Sequence, residues 1–234
     1  MSTDKRDEII LLSDVLGVES LVDEITSKLL LSADGTNTTT TTTTPSAVLG
    51  PFYRADAPVL PNGSSIVSPQ CGWYAQAQHL LAHVSGRVLS ASTGEPIPDA
   101  VVDVWLAGPN GLYEQQDASA PEMNLRGRFR TDAQGRYALY CVRPTPYPVP
   151  ADGPAGRLLG LLDRHPYRPA HIHFVVGAEG YRTLTTQVFD AEDGYCKDDA
   201  VFATKEELLV RFEKREGDER ARWSLVYDFT LAEV

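Results

Sequence analysis

The chain has no apolar run approaching the roughly 20 residues needed to cross a bilayer. Its first residues, Met1-Ser2-Thr3-Asp4-Lys5-Arg6-Asp7-Glu8, are charged where a secretory signal is apolar. Cysteine is scarce: Cys71, Cys141 and Cys196 are odd in number and far apart, with no Cys-x-x-Cys pair. That speaks against a disulfide framework and a structural zinc site, and for reduced thiols in a cytoplasmic protein. Positive charge is short as well, with 21 Lys and Arg against 32 Asp and Glu and a net charge of −11. Such a surface repels a phosphate backbone, so no nucleic-acid partner is expected, and no membrane partner either. What is present is 42% hydrophobic and 23% charged residues over 234 positions, ordinary for a globular protein. The length suits one domain of roughly 150–200 residues plus an appendage.

The appendage is at the front. Val18, Leu21, Val22, Ile25 and Leu29 recur at three- and four-residue intervals, which predicts a helix with one apolar face laid over the core. Residues 1–31 therefore read as a short helical segment. Residues 32–45, with seven threonines from Thr38 to Thr44, have nothing to bury and read as a flexible linker. From residue 46 to 234 the pattern changes to short strands punctuated by Gly, Pro and Asp. His83–Leu89, Ala100–Leu106, Arg136–Val142, Ala170–Val176, Leu184–Phe189 and Ser224–Leu231 are the predicted strands. The fold class is mainly β, an antiparallel sandwich carrying the catalytic or binding residues.

Chemistry is concentrated in His171-Ile172-His173-Phe174-Val175-Val176. On a strand, residues i and i+2 share a face, so both imidazoles point one way and the apolar residues the other. Two histidines so placed can chelate one metal ion, although such pairs also occur merely facing solvent. His79, His83 and His165 supply no evident third ligand. A two-histidine, one-carboxylate iron site would need Asp190 or Glu179. Tyr147 lies among the prolines 144, 146, 148 and 150, which disfavour ladder pairing and hold the chain extended. Tyr113 follows the turn after the strand through Trp105.

Longer stretches resemble a known family. Leu49-Gly50-Pro51-Phe52-Tyr53-Arg54, Val101-Val102-Asp103-Val104-Trp105, Asn124-Leu125-Arg126-Gly127-Arg128-Phe129 and His165-Pro166-Tyr167-Arg168-Pro169-Ala170-His171-Ile172-His173-Phe174 look like the intradiol ring-cleavage dioxygenases. Leu12-Ser13-Asp14-Val15-Leu16-Gly17 and Leu21-Val22-Asp23 resemble the end of that family's N-terminal helical domain. The resemblance implies one mononuclear non-haem Fe(III) per chain, held by Tyr113, Tyr147, His171 and His173. It implies Tyr147, Arg168 and Gln187 as catalytic residues, with Tyr147 the ligand that leaves and serves as base. The implied reaction opens a diphenol ring between its two hydroxylated carbons, using both atoms of O₂.

By position, Asp23, Glu24, Val48, Gly50, Phe52 and Val201 match residues that line the ring in relatives. Glu24 stands where relatives carry alanine, and a carboxylate facing the ring would favour a substrate with an extra hydroxyl. Met123–Phe129 and Gly180–Leu184 also look closer to the hydroxyquinol (benzene-1,2,4-triol) branch than to the catechol branch. Hydroxyquinol is therefore the expected substrate, with catechol or a bulkier secondary-pathway diphenol as alternatives. A metal-free transthyretin-like binding module would share the sandwich repeats but would not need these ligands. The resemblance implies a dimer zipper that holds a phospholipid on a helical domain longer than residues 1–31, so a homodimer and bound lipid are both open expectations.

Overall fold

The computed structural model describes residues 2–3, 6–33 and 43–234. The main strands are β1 (Leu81–Ser90), β2 (Val101–Trp105), β3 (Arg126–Arg130), β4 (Arg136–Val142), β5 (Tyr147–Pro148), β6 (Tyr167–Arg168), β7 (His171–Gly177) and β8 (Leu184–Asp190). Shorter ones follow: β9 (Leu209–Val210), β10 (Glu213–Lys214), β11 (Trp223–Val226) and β12 (Phe229–Leu231). One sheet runs β10-β11-β1-β12 with β4 also on β1, and the other runs β3-β2-β7-β8-β9. Between them Val84, Val88, Val102, Val104, Phe129, Leu139, Ile172, Phe174, Val176, Val188 and Phe229 form one buried core. The sandwich is as expected, and most pairings are antiparallel. β1 is the exception, because β11 and β12 run parallel to it, as β9 does to β8.

The predicted strand 224–231 is broken at Tyr227 and Asp228, yet both halves keep one register on β1. Gly86 explains the break. A methyl group there would collide with the Tyr227 carbonyl, which instead accepts a hydrogen bond from Tyr137 Oη at 2.7 Å. Asp228 takes the freed Arg87 amide at 2.8 Å. Tyr147 also departs from expectation: despite its prolines, it pairs with Arg168 in the two-stranded β5-β6 ribbon.

Among the described residues three α-helices form: α1 (Glu8–Val15), α2 (Val18–Ala33) and α3 (Pro154–Leu161), the last unforeseen from sequence. Asp7 caps α1 by accepting from the Ile9 and Ile10 amides, and Gly17, at φ +71°, turns the chain into α2. Leu11, Val15, Ala155 and Leu159 pack with Phe189 and Val201 in a second apolar cluster.

α2 is oriented opposite to expectation. Its polar residues grip the body: Glu19 accepts from the Leu49 amide, Ser20 donates to the Phe202 carbonyl, Asp23 pairs with Lys205, and Ser27 bonds Ser46. Val18, Leu21, Val22, Ile25 and Leu29 face outward, each about half exposed or more. The periodicity correctly found an apolar stripe but not the side it faces. Most of the threonine run lies outside the described residues. Thr44, however, is bound to the Thr230 backbone on β12, so the attached body begins before residue 46.

Candidate metal centre and active site

The second sheet turns one row of side chains outward. Arg126, Trp105, His173 and Gln187 are register partners across β3, β2, β7 and β8, and His171 lies two residues along β7. Alternation fixes this, because Ile172 and Phe174 must enter the core. His171 and His173 bring their Nε2 atoms to 3.1 Å. Loop 108–113 and the β5-β6 ribbon close over them, bringing the Tyr113 and Tyr147 hydroxyl oxygens to 3.0 Å. Gly111, at φ +78°, permits this approach: a methyl group there would sit 3.2 Å from Tyr147 Cβ.

The electrostatics suit a cation. Burial drives both imidazole pKa values well below the ordinary range, helped by Arg168 at His171 and by His171 and then Arg168 at His173. Both rings are therefore neutral. His171 Nδ1 lies 2.6 Å from the Pro169 carbonyl and donates to it, which leaves a lone pair on Nε2. His173 Nδ1 is buried without a partner, and its ring stacks on Trp105 at 4.7 Å and 10°. Burial also raises both phenol pKa values; Tyr147 further raises that of Tyr113, while Arg168 opposes the rise at Tyr147.

Among the described residues no three His, Cys, Asp or Glu side chains gather into a metal site. The carboxylate alternatives fail individually. Asp190 faces away from the histidines by strand parity and pairs with Arg143 at 2.6 Å. Glu179 lies exposed beyond the end of β7. The converging set is two neutral nitrogens and two phenol oxygens, and it fits a hard, highly charged cation such as Fe(III).

Arg168 stands beside this set. Its Nη1 lies 2.9 Å from His171 Nε2, its Nη2 donates to Gln187 Oε1 at 2.7 Å, and Asp199 receives Nε at 3.3 Å. Burial works against the charge, but Asp199 and the phenols outweigh it, and the guanidinium stays protonated. Gln187 donates in turn to the Val48 carbonyl at 2.6 Å.

The family model "Dioxygenase" matches residues 63–233, and "Catechol dioxygenase N terminus" matches residues 1–30. The chain belongs to the intradiol ring-cleavage dioxygenases. It is 43% identical to the catechol 1,2-dioxygenase of Candida albicans over 99% of this chain and 74% of that protein. It is also 43% identical to the hydroxyquinol 1,2-dioxygenase of a Rhizobium species, over 97% and 74%. The crystal structure of hydroxyquinol 1,2-dioxygenase from Pseudomonas putida DLL-E4 superposes with a TM-score of 0.82 at 36% identity, covering 100% of this chain and 78% of that one.

Within this dioxygenase the wall residues divide. A methyl on Gly50 would lie 3.1 Å from His173 Cε1, and Phe52 stacks on Tyr113 at 4.4 Å, so both adjoin rings of the converging set. Val48 and Val201 are buried in the neighbouring helix-facing cluster. Asp23 is occupied by Lys205 at 2.8 Å. Glu24 corrects an expectation: its side chain is 54% exposed and bonds Lys28 one turn along at 2.5 Å. A carboxylate that reaches solvent satisfies itself there, and it does not face the ring.

Three further residues were missed from sequence. Trp105 could have been found, since alternation places it opposite Val102 and Val104 on the histidine face. Arg126 is buried against Glu114 at 2.7 Å and lies 5.8 Å from the Tyr113 ring centroid, and no local pattern marks it. Asp199 meets Arg168 only through the fold, and no local pattern marks it.

Proposed function

We propose that the chain is a non-haem Fe(III) dioxygenase acting on hydroxyquinol, with catechol as the poorer substrate, and that Tyr113, Tyr147, His171 and His173 hold the metal. The carrying observation is the convergence of two phenol oxygens at 3.0 Å and two imidazole nitrogens at 3.1 Å beside a buried guanidinium. Ferric iron held by these phenolates would supply electron withdrawal from a bound diol and so make its ring open to O₂. The other roles belong to the chain. Tyr147, next to Arg168, holds at its Oη the proton taken from the second substrate hydroxyl. Arg168 steadies the negative charge on the ring oxygens, and Gln187 and Asp199 fix its direction. Trp105 and Phe52 hold the rings of His173 and Tyr113 and keep water out.

The product has gained both oxygen atoms: 3-hydroxy-cis,cis-muconate, which tautomerises to maleylacetate. Segments 123–129 and 180–184 and the hydroxyquinol-named relatives support the triol. Equal identity to a catechol-named relative keeps catechol as the alternative. Three free cysteines support a reducing, cytoplasmic setting. The outward apolar face of α2 supports a homodimer. No helix among the described residues is long and apolar enough to cross a membrane.

The test is the purified protein's colour, iron content and O₂ uptake. Tyrosinate-to-Fe(III) charge transfer makes it red-brown, and each ring opened consumes one O₂. A colourless iron-replete preparation overturns the metal assignment. A higher kcat/KM for catechol overturns the substrate.

A further inference from the structure

Asp14 is the least expected residue near the site. It lies near the end of α1, whose Leu11 and Val15 enter the second apolar cluster; 1% of its surface is exposed, and its Oδ1 has no partner. The carboxyl of Glu19 on α2 lies beside its carboxyl, close enough for the two to share a proton. Glu19 Oε1 accepts the Leu49 amide at 2.9 Å, and the preceding carbonyl, of Val48, accepts Gln187 Nε2 at 2.6 Å. Gln187 then holds Arg168 at 2.7 Å. A continuous line of hydrogen bonds thus runs from the buried acid pair to the guanidinium beside the histidines.

We propose that Asp14 and Glu19 act as one positioning unit, a carboxylic acid bonded to a carboxylate, which fixes the Val48–Leu49 backbone and through it Gln187 and Arg168. The inference rests on the proposed ring-cleavage site and concerns how that site is held in register. Neither acid touches substrate.

Two carboxyls can stay in contact while buried only if one keeps its proton. Burial, followed by the bond to Glu19 and its charge, raises the Asp14 pKa to about 8, with Asp199 adding and Arg168 opposing. The charged groups facing it are therefore Glu19 from α2, Arg168 from β6 and Asp199 from the loop after β8. Arg164, after α3, binds the backbone carbonyls of Val15 and Ala200 at 2.6 and 2.8 Å. When the shared proton leaves, two like charges meet in an apolar cluster, the pair parts, and Leu49 loses its anchor.

The experiment compares pH profiles of kcat/KM for the wild type, Asp14→Asn and Glu19→Gln, with one diphenol throughout. Either amide replaces the labile proton with permanent N–H donors. The wild type should lose activity about tenfold per pH unit above about pH 8, and both variants should lack that limb. Should one variant fail to fold, the other carries the comparison. Persistence of the alkaline limb in a folded variant overturns the proposal. Infrared spectroscopy gives a second readout independent of turnover: a buried protonated-carboxyl stretch at neutral pH that vanishes with the same midpoint and is missing from Asp14→Asn. Its absence in the wild type sinks the acid pair even if ring cleavage is confirmed; its presence without ring cleavage sinks only the functional reading.

Discussion

His171 and His173 show how one residue type serves two demands on a single strand. Their neighbours Ile172 and Phe174 complete the sandwich core, while the imidazoles are buried on the other face and kept neutral. A buried neutral imidazole with a free lone pair is a ready metal ligand. Replacing His173 with Ala should cost iron and more than about 100-fold in activity. Metal analysis of the purified variant checks this, and stoichiometric iron with normal turnover would mean the pair is structural. The tyrosines should differ from each other, because burial raises the Tyr147 pKa while Arg168, which hydrogen-bonds Tyr147, opposes that rise. Tyr147→Phe should keep part of the visible absorption from the Tyr113 phenolate yet lose about 10²–10⁴-fold in turnover. Identical spectra for wild type, Tyr147→Phe and Tyr113→Phe would exclude both as ligands. Glu24→Ala should leave the ratio of kcat/KM for hydroxyquinol and catechol unmoved, since Glu24 is exposed and paired with Lys28.

Elements carry the next level of constraint, and here sequence and structure part in instructive places. Strands with clear alternation were legible, as was the shared face of the two histidines. β3 was not: Arg126-Gly127-Arg128-Phe129-Arg130 offers one apolar residue, and its burial depends on Glu114 and Asp103 supplied from elsewhere. α2 was legible as a helix, but an amphipathic pattern cannot say whether the polar or apolar face meets the body. The proposed ligand set needed the family resemblance, because Tyr113 and Tyr147 reach the histidines only through loop closure. Gly86→Ala should cost about 3 kcal/mol in denaturant unfolding, by driving Tyr227 off β1. Asp14 makes a pH prediction for the α1–α2 join. Its folded pKa of about 8 exceeds the ordinary 3.8, so the folded state binds the extra proton. Its contribution to stability is full below about pH 4 and is lost as pH rises to about 8. Melting temperatures should fall across that window in the wild type and fall less in Asp14→Asn.

Across the whole molecule, charge and apolar surface oppose each other. A net charge of −11 makes two copies repel, and the repulsion reaches about 8–10 Å at moderate salt. Yet α2 turns its polar face to the body and offers Val18, Leu21, Val22, Ile25 and Leu29 outward as one stripe. Stripes of this kind are unfavourable in water and pair readily with their own copy about a two-fold axis. Association through α2 should therefore strengthen as salt screens the net charge, the reverse of an interface built on ion pairs. Sedimentation of the intact protein at low and high salt measures this directly. Leu21→Glu with Ile25→Glu should give a monomer at both salts, because four added carboxylates would face one another across the axis. These two positions lie away from Glu19 and Asp23, which hold α2 to the body, so ring cleavage should survive in the monomer. A wild type that sediments as a monomer at every salt concentration would remove the dimer, and a dimer unaffected by the double substitution would move it to another surface.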